Sequence, residues 1–147
     1  MSPIFVVSQS LLIVVAALAL WRGRAWERGT AVVLLANWLG TALGPDFNTV
    51  DPPWFGIMLD GLVALFLIYA ALFSGRRWTL WAAAFQILLM ANHLAFIRFH
   101  ALEQWAYITA YYIWGDLLLA ALALGTLTRK HKVNTPASPR DDDNGRR

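Results

Sequence analysis

Five apolar stretches, separated by short polar or proline-containing segments, dominate the chain. A transmembrane helix needs about 20 predominantly apolar residues. The stretches that approach this length cover residues 4–21, 30–44, 54–73, 78–97 and 104–127. The second is the shortest, and a helix over residues 29–44 would be about 24 Å long, below the ~30 Å hydrocarbon thickness. The pattern predicts an all-α fold: a polytopic membrane helical bundle with five transmembrane helices.

Basic residues are concentrated at one end of the predicted spans. Eight of them lie in the first loop, in the third loop and just after the fifth span: Arg22, Arg24, Arg28, Arg76, Arg77, Arg129, Lys130 and Lys132. The loops at the opposite end carry Arg98 and the acidic residues Asp46, Asp51 and Glu103. Because Lys and Arg near span ends are retained in the cytoplasm, we predict a multi-pass protein of the cytoplasmic (plasma) membrane, with its N-terminus outside and its C-terminus in the cytoplasm.

The composition excludes an ordinary soluble domain. Of 147 residues, 59% are hydrophobic and 14% are charged, whereas about a quarter of the residues in soluble proteins are charged. The net charge of +3 does not indicate a nucleic-acid partner, because the basic residues lie in short groups between apolar segments and in the tail. We expect residues 1–128 to form the bundle and the polar, proline-containing residues 129–147 to form a disordered cytoplasmic tail.

A weak internal similarity relates the second and fourth spans. The segment Leu-Leu-Ala-Asn-Trp-Leu at residues 34–39 resembles Leu-Met-Ala-Asn-His-Leu at residues 89–94. Each follows an Ala-Ala-Leu segment and an arginine-containing turn. Duplication of a helical hairpin would explain the similarity. Chance resemblance in a chain rich in Leu and Ala would explain it equally well.

Ionisable side chains are rare inside the predicted spans, where they are costly and mark a functional site by default. They are Asp60, His93 and Asp116. With Tyr112 and Asn37 they form a candidate set for binding a ligand or a proton, in a pocket that faces the exterior. We place the pocket there because nearly all intramembrane polar groups fall in the outer half of the bundle, while the inner half is predicted to be apolar. The alternative is that each polar group only hydrogen-bonds a neighbouring helix.

Residues three, four or seven positions apart share one side of a helix. On this basis we predict two inward-facing polar stripes, Trp105, Thr109, Tyr112 and Asp116 in the fifth span and Gln86, His93 and His100 in the fourth. Small residues let helices approach closely in membranes. The predicted helix-packing positions are Gly40, Gly44, Gly56 and Ala64.

The sequence offers little for metal, haem or covalent chemistry. It contains no cysteine, and His93 and His100 would lie about 10 Å apart along one helix, too far for one metal ion. Signatures such as His-Glu-x-x-His, Gly-x-Ser-x-Gly and the Walker loop are absent from the sequence. We therefore expect no cofactor, no metal and no catalytic residue.

Three hypotheses for the function follow. The first is a small non-enzymatic membrane protein that acts through helix–helix association, as an accessory subunit of a membrane complex or as a homo-oligomer. The alternative is an oligomeric transporter or binding protein for a small cation or a proton-coupled solute, which would use Asp60, His93 and Asp116. The third is a lipid-modifying enzyme of the outer leaflet. The expected partners are membrane lipid and other membrane subunits or further copies of the chain.

Overall fold

The fold is helical throughout the part of the chain that a computed structural model describes, residues 3–44, 53–98 and 104–128. The helices are α1 (Pro3–Arg22), α2 (Ala25–Leu43), α3 (Trp54–Phe73), α4 (Arg77–Arg98) and α5 (Gln104–Leu127). The predicted all-α bundle is confirmed, and four helices end within one residue of their predicted bounds. The loops at residues 45–52 and 99–103 and the tail from residue 129 lie outside the described residues.

Helix α2 differs from its prediction because it begins at Ala25, five residues earlier than expected. Its 19 residues extend about 28 Å, close to the hydrocarbon thickness, so the prediction of a short helix was wrong. The other four helices are long and apolar enough to cross a membrane, which makes the chain a helical membrane protein. That α2 also spans the membrane stays a prediction, since its first turn contains Glu27 and Arg28.

The five helices form a closed ring. Each helix contacts the next one in the chain, α5 returns to contact α1, and α2 also contacts α5 across the interior. Short connections make consecutive helices antiparallel neighbours, so the α1–α2 and α3–α4 turns meet at one end. We call this end the arginine end, formed by residues 22–28, 74–78 and 125–128. The opposite end is called the distal end.

The core consists of small and aliphatic side chains. Leu67, Ala82 and Leu122 have no exposed surface, and the core continues through Ala31 and Leu118. The outward surface is also apolar, with large exposed aliphatic and aromatic side chains on every helix. Lipid is the solvent in which such a surface is not penalised.

Two glycines allow the tight turns at the arginine end. A Cβ added to Gly23 would lie 2.2 Å from the carbonyl oxygen of Ala19, so a side chain there would collide with the end of α1. Gly75 has a φ of +64°, a left-handed conformation that glycine adopts without steric cost. These turns bring the two arginine-containing loops together.

Candidate functional site

The carboxylate of Asp60, in α3, is the centre of a buried hydrogen-bond network. Asn37 of α2 donates from Nδ2 to Oδ1 at 2.9 Å. Nε2 of His93, in α4, lies 2.9 Å from Oδ2, and Tyr111 of α5 also hydrogen-bonds this side chain. Asp60 is 3% exposed and His93 is 2% exposed. Side chains from three other helices therefore converge on one acid in the interior of the bundle.

Both ring nitrogens of His93 are occupied by protein groups. Nε2 faces the Asp60 carboxylate, which as an anion can only accept hydrogen bonds, so Nε2 carries a hydrogen. Nδ1 lies 2.7 Å from the hydroxyl oxygen of Tyr107, and in the neutral imidazole it accepts a hydrogen bond that the Tyr107 hydroxyl donates. The side chains of Tyr107, His93 and Asp60 thus form a continuous chain of hydrogen bonds along which a proton can be redistributed.

Asp116, in α5, is the second acid of the interior and has fewer donors around it. Ser8 of α1 donates from Oγ to Oδ2 of Asp116 at 2.9 Å. Tyr112 lies near the same carboxylate, one turn away on α5. A carboxylate has about four lone-pair positions. Most of the hydrogen-bonding capacity of Asp116 is therefore open to a further donor or a cation.

A cavity of about 110 Å³ connects the two acids. Its polar wall contains Ser8, Gln9, Asn37, Asp60, Gln86, Tyr111, Tyr112 and Asp116, and its apolar wall is formed largely by leucines of α1, α2, α4 and α5. Two buried amide oxygens of this wall, Oε1 of Gln9 and Oδ1 of Asn37, have no hydrogen-bond partner within the described part of the chain. Buried polar atoms normally have partners. The residues that line the cavity therefore carry two carboxylates and two acceptors without a partner among the described residues.

The predicted binding residues are brought together by the fold. The cavity is lined by Asn37, Asp60, Tyr112 and Asp116. His93 lies behind this lining and is hydrogen-bonded to Asp60. Whether these residues bind a ligand stays a prediction.

Tyr107, which contacts His93, was not anticipated from the sequence. The signal was its spacing of four residues from Tyr111, which places both tyrosines on the α4-facing side of α5.

The predicted polar stripe of α5 is only half correct. Tyr112 and Asp116 line the cavity, but Trp105 is 66% exposed, and the Thr109 hydroxyl donates to the Trp105 carbonyl of its own helix. The side of α5 that faces the interior is narrow because the helix packs between α4 and α1. Tyrosines occupy the part of this side nearer the distal end. On α4, Gln86 and His93 are both 2% exposed as predicted, and His100 lies outside the described residues.

Three of the four predicted packing positions, Gly40, Gly44 and Gly56, lie along the contact between α2 and α3. A Cβ at Gly40 would lie 2.9 Å from Cδ1 of Leu59, and one at Gly44 would lie 2.6 Å from Cδ1 of Phe55. Gly56 and Ala64, in α3, are buried. The close approach of α2 to α3 positions Asn37 beside the Asp60 carboxylate.

The arginine end also contains buried polar groups, which were not anticipated from the sequence; they lie at or beyond the ends of the predicted spans, so the expectation of an apolar inner half stays a prediction. Glu27 is 1% exposed and forms an ion pair with Arg76 of the other turn. Thr30 and Thr79, which follow Glu27 and Arg76 by three residues each, are fully buried. Thr126 is 6% exposed. The ion pair joins residues 49 positions apart, a distance at which helical periodicity predicts nothing.

Comparisons with known proteins add no constraint. No family model, no curated protein and no solved structure matches this chain. Among residues 3–44, 53–98 and 104–128, no group of three or more acidic, histidine or cysteine side chains could hold a metal ion. The class of protein is therefore defined by its fold and its site: a five-helix membrane bundle with two acids bordering an interior cavity.

Proposed function

We propose that the protein binds a small cationic solute in the cavity between Asp60 and Asp116, and that binding is coupled to protonation of the Tyr107–His93–Asp60 chain. The observation that carries this proposal is that Gln9 and Asn37, whose buried amide oxygens have no hydrogen-bond partner within the described residues, line the same cavity as the two acids. A cation that can donate hydrogen bonds would satisfy all four groups. The distal end would face the exterior of the cytoplasmic membrane.

The charge distribution favours a cation over a neutral solute. Two carboxylates border the cavity, and no Lys or Arg is among the described residues that line it. A negative charge without a positive partner is costly in a membrane interior. His93 neutralises Asp60 only when its imidazole is protonated, and Asp116 has the Ser8 hydroxyl as its donor. A monovalent cation beside Asp116 would remove much of this cost.

Histidine is the side chain that changes charge near neutral pH, and this provides the coupling to protons. The titratable groups of the described residues that contact His93 are Asp60 from α3 and Tyr107 and Tyr111 from α5. Protonated His93 and a bound cation would compete for the same negative charge. A cation should therefore bind more tightly to the form with neutral His93 than to the form with protonated His93, and binding should release protons, since linkage between two sites is reciprocal.

Calorimetric titration of the protein in lipid nanodiscs with methylammonium chloride, and separately with sodium chloride, tests the proposal. We expect saturable binding that is tighter at pH 8 than at pH 6. Buffers of different ionisation enthalpy should reveal proton release on binding. Asp116→Asn should weaken binding about ten- to a hundredfold, because a hydrogen bond to a charged group contributes about 1.5–3 kcal/mol.

Two further variants separate binding from folding. A side chain at Gly115, which lines the cavity, would meet nothing within 4 Å, so Gly115→Leu should fill the cavity and abolish binding without removing a charge. Thr109→Val is the matched control, because its hydroxyl bonds its own helix and is not part of the cavity wall. Unchanged affinity in Gly115→Leu and Asp116→Asn would refute the proposal.

Helix–helix association is a second candidate function, and the character of α2 favours it. This helix does not reach the apolarity of the other four, yet its outer face exposes Val32, Leu39 and Leu43 at 55%, 51% and 78%. A further copy of the chain or another membrane subunit would cover that face. Size analysis in mild detergent tests the idea: Ala36→Trp on this face should shift an oligomer towards monomer, whereas Leu65→Trp on α3 should not.

A further inference from the structure

A second, larger cavity lies at the arginine end. It has a volume of about 390 Å³ and is bordered by both arginine-containing turns and by the last turn of α5. None of its residues lines the cavity between Asp60 and Asp116. It is therefore separate from the proposed cation site.

The lining of this cavity is strongly basic. Four arginines border it, Arg22, Arg24, Arg76 and Arg77, together with one acid, Glu27. Glu27 is paired with Arg76 and also accepts the backbone N–H of Arg24 at 3.0 Å, so its charge is already compensated. Counted over the described residues, the net formal charge of the lining is four minus one, or +3. N-terminal and C-terminal helix ends, which carry partial charges of opposite sign, both meet here. The arginine side chains therefore determine the sign of the electrostatic potential in the cavity.

Trp78, one of the residues that line this cavity, carries a buried donor without an acceptor. Trp78 is 9% exposed, and its Nε1 has no hydrogen-bond partner within the described residues. An indole nitrogen can only donate, and a buried donor without an acceptor costs free energy. Guanidinium groups likewise only donate. A ligand that supplies several oxygen acceptors and negative charge would satisfy both kinds of group, as a phosphate group does.

An apolar groove begins where this cavity ends. Trp78, Gly125 and Thr128 line both, and the groove, of about 320 Å³, continues between α4 and α5 past Phe85 and Leu117. Its length runs along the membrane-facing surface of two helices that can cross a membrane. An anionic headgroup site joined to an apolar groove matches the two parts of a phospholipid, and basic pockets between transmembrane helices are known to hold anionic lipid headgroups.

We infer that the arginine end binds one anionic phospholipid, with its phosphate between Arg22, Arg24 and the indole N–H of Trp78 and an acyl chain in the α4–α5 groove. The ligand is a lipid rather than a free phosphate ion, because a phosphate ion would leave the apolar groove empty.

Native mass spectrometry of the full chain, released from nanodiscs that contain phosphatidylglycerol and phosphatidylcholine, tests this inference. One phosphatidylglycerol should be retained per chain in preference to phosphatidylcholine. Arg22→Gln combined with Arg24→Gln should weaken retention about thirtyfold, since each arginine near an anionic lipid surface contributes about fivefold. Both arginines are exposed, so their replacement should leave the fold intact. Arg28→Gln is the matched control, because Arg28 is exposed at the same end but does not line the cavity.

Two further arms distinguish the source of the phosphate and the role of the groove. Ala120→Trp, at an exposed groove position, should lower phosphatidylglycerol retention, and Trp78→Phe should lower it by removing the N–H donor. Equal retention of phosphatidylcholine, or equal losses in the Arg28→Gln control, would overturn the inference. Displacement of the lipid by 10 mM inorganic phosphate, with no effect of Ala120→Trp, would assign the cavity to a free phosphate ion and also overturn it.

Discussion

Replacing Arg76 should show how much its ion pair with Glu27 contributes to the free energy of unfolding. The Glu27 side chain is 2% exposed, whereas its partner Arg76 is 26% exposed. Arg76→Met therefore leaves a buried carboxylate whose remaining donor is the backbone N–H of Arg24. Removing one member of a buried ion pair costs about 3–5 kcal/mol. Because Glu27 keeps that backbone donor, we expect the lower limit, about 3 kcal/mol.

The double variant separates the ion pair from the general effect of substitution. Glu27→Gln alone should cost about 1 kcal/mol, because its amide oxygen can still accept the Arg24 N–H and the partly exposed Arg76 can turn to water. Combining Glu27→Gln with Arg76→Met removes both charges, and replacing a buried pair in this way is often nearly neutral. We expect a total loss of about 1 kcal/mol and thus a coupling energy of about 3 kcal/mol.

Reversible unfolding in mixed detergent micelles, followed by helical circular dichroism, would measure these free energies. Arg77→Met is the control, since Arg77 is in the same turn and exposed and its loss should change stability by less than about 0.5 kcal/mol. If the double variant loses the sum of the two single effects, about 4 kcal/mol, the two side chains do not interact and the reasoning is refuted.

Three glycine substitutions should rank by the space around each position, measured in the same unfolding assay. Gly125→Ala should cost about 1–3 kcal/mol, because its Cβ would lie 2.4 Å from the Trp78 ring. Gly40→Ala should cost less than about 1 kcal/mol, since the nearest atom, 2.9 Å away, ends the flexible Leu59 side chain. Gly115→Ala should not destabilise the protein, because nothing lies within 4 Å. The reverse order would contradict this account of helix contacts.

The helices could be predicted because membrane thickness imposes a length on them. The bounds of α3 and α5 follow directly from the apolar stretches. The start of α2 could not be predicted in the same way, because Glu27 is tolerated inside the bundle only through a partner 49 residues away. A local pattern contains no information about such a pair.

The candidate site was predictable in its members but not in its connections. The cost of charge in lipid is enough to single out Asp60, His93 and Asp116. The contact between Asp60 and His93 joins residues 33 positions apart and depends on how α3 and α4 pack. Tyr107 was missed because a tyrosine near a helix end is usually an interfacial anchor, and its role depends on where His93 points.

The leucines beneath the cavity determine which side has access to it. Leu118 and Leu119 line the cavity and are 2% and 6% exposed, and Leu122, one turn closer to the arginine end, has no exposed surface. A solute in the cavity therefore meets a closed apolar layer on the side of the acids that faces the arginine end, as in a binding site rather than an open channel. The chain contains no cysteine, so single substitutions can report access directly. A water-soluble thiol reagent should label Gly115→Cys from the distal side, which we predict to be the exterior, and should not label Leu122→Cys from either side. Labelling of Leu122→Cys from the arginine end would reveal a continuous path and make transport the better description of the site.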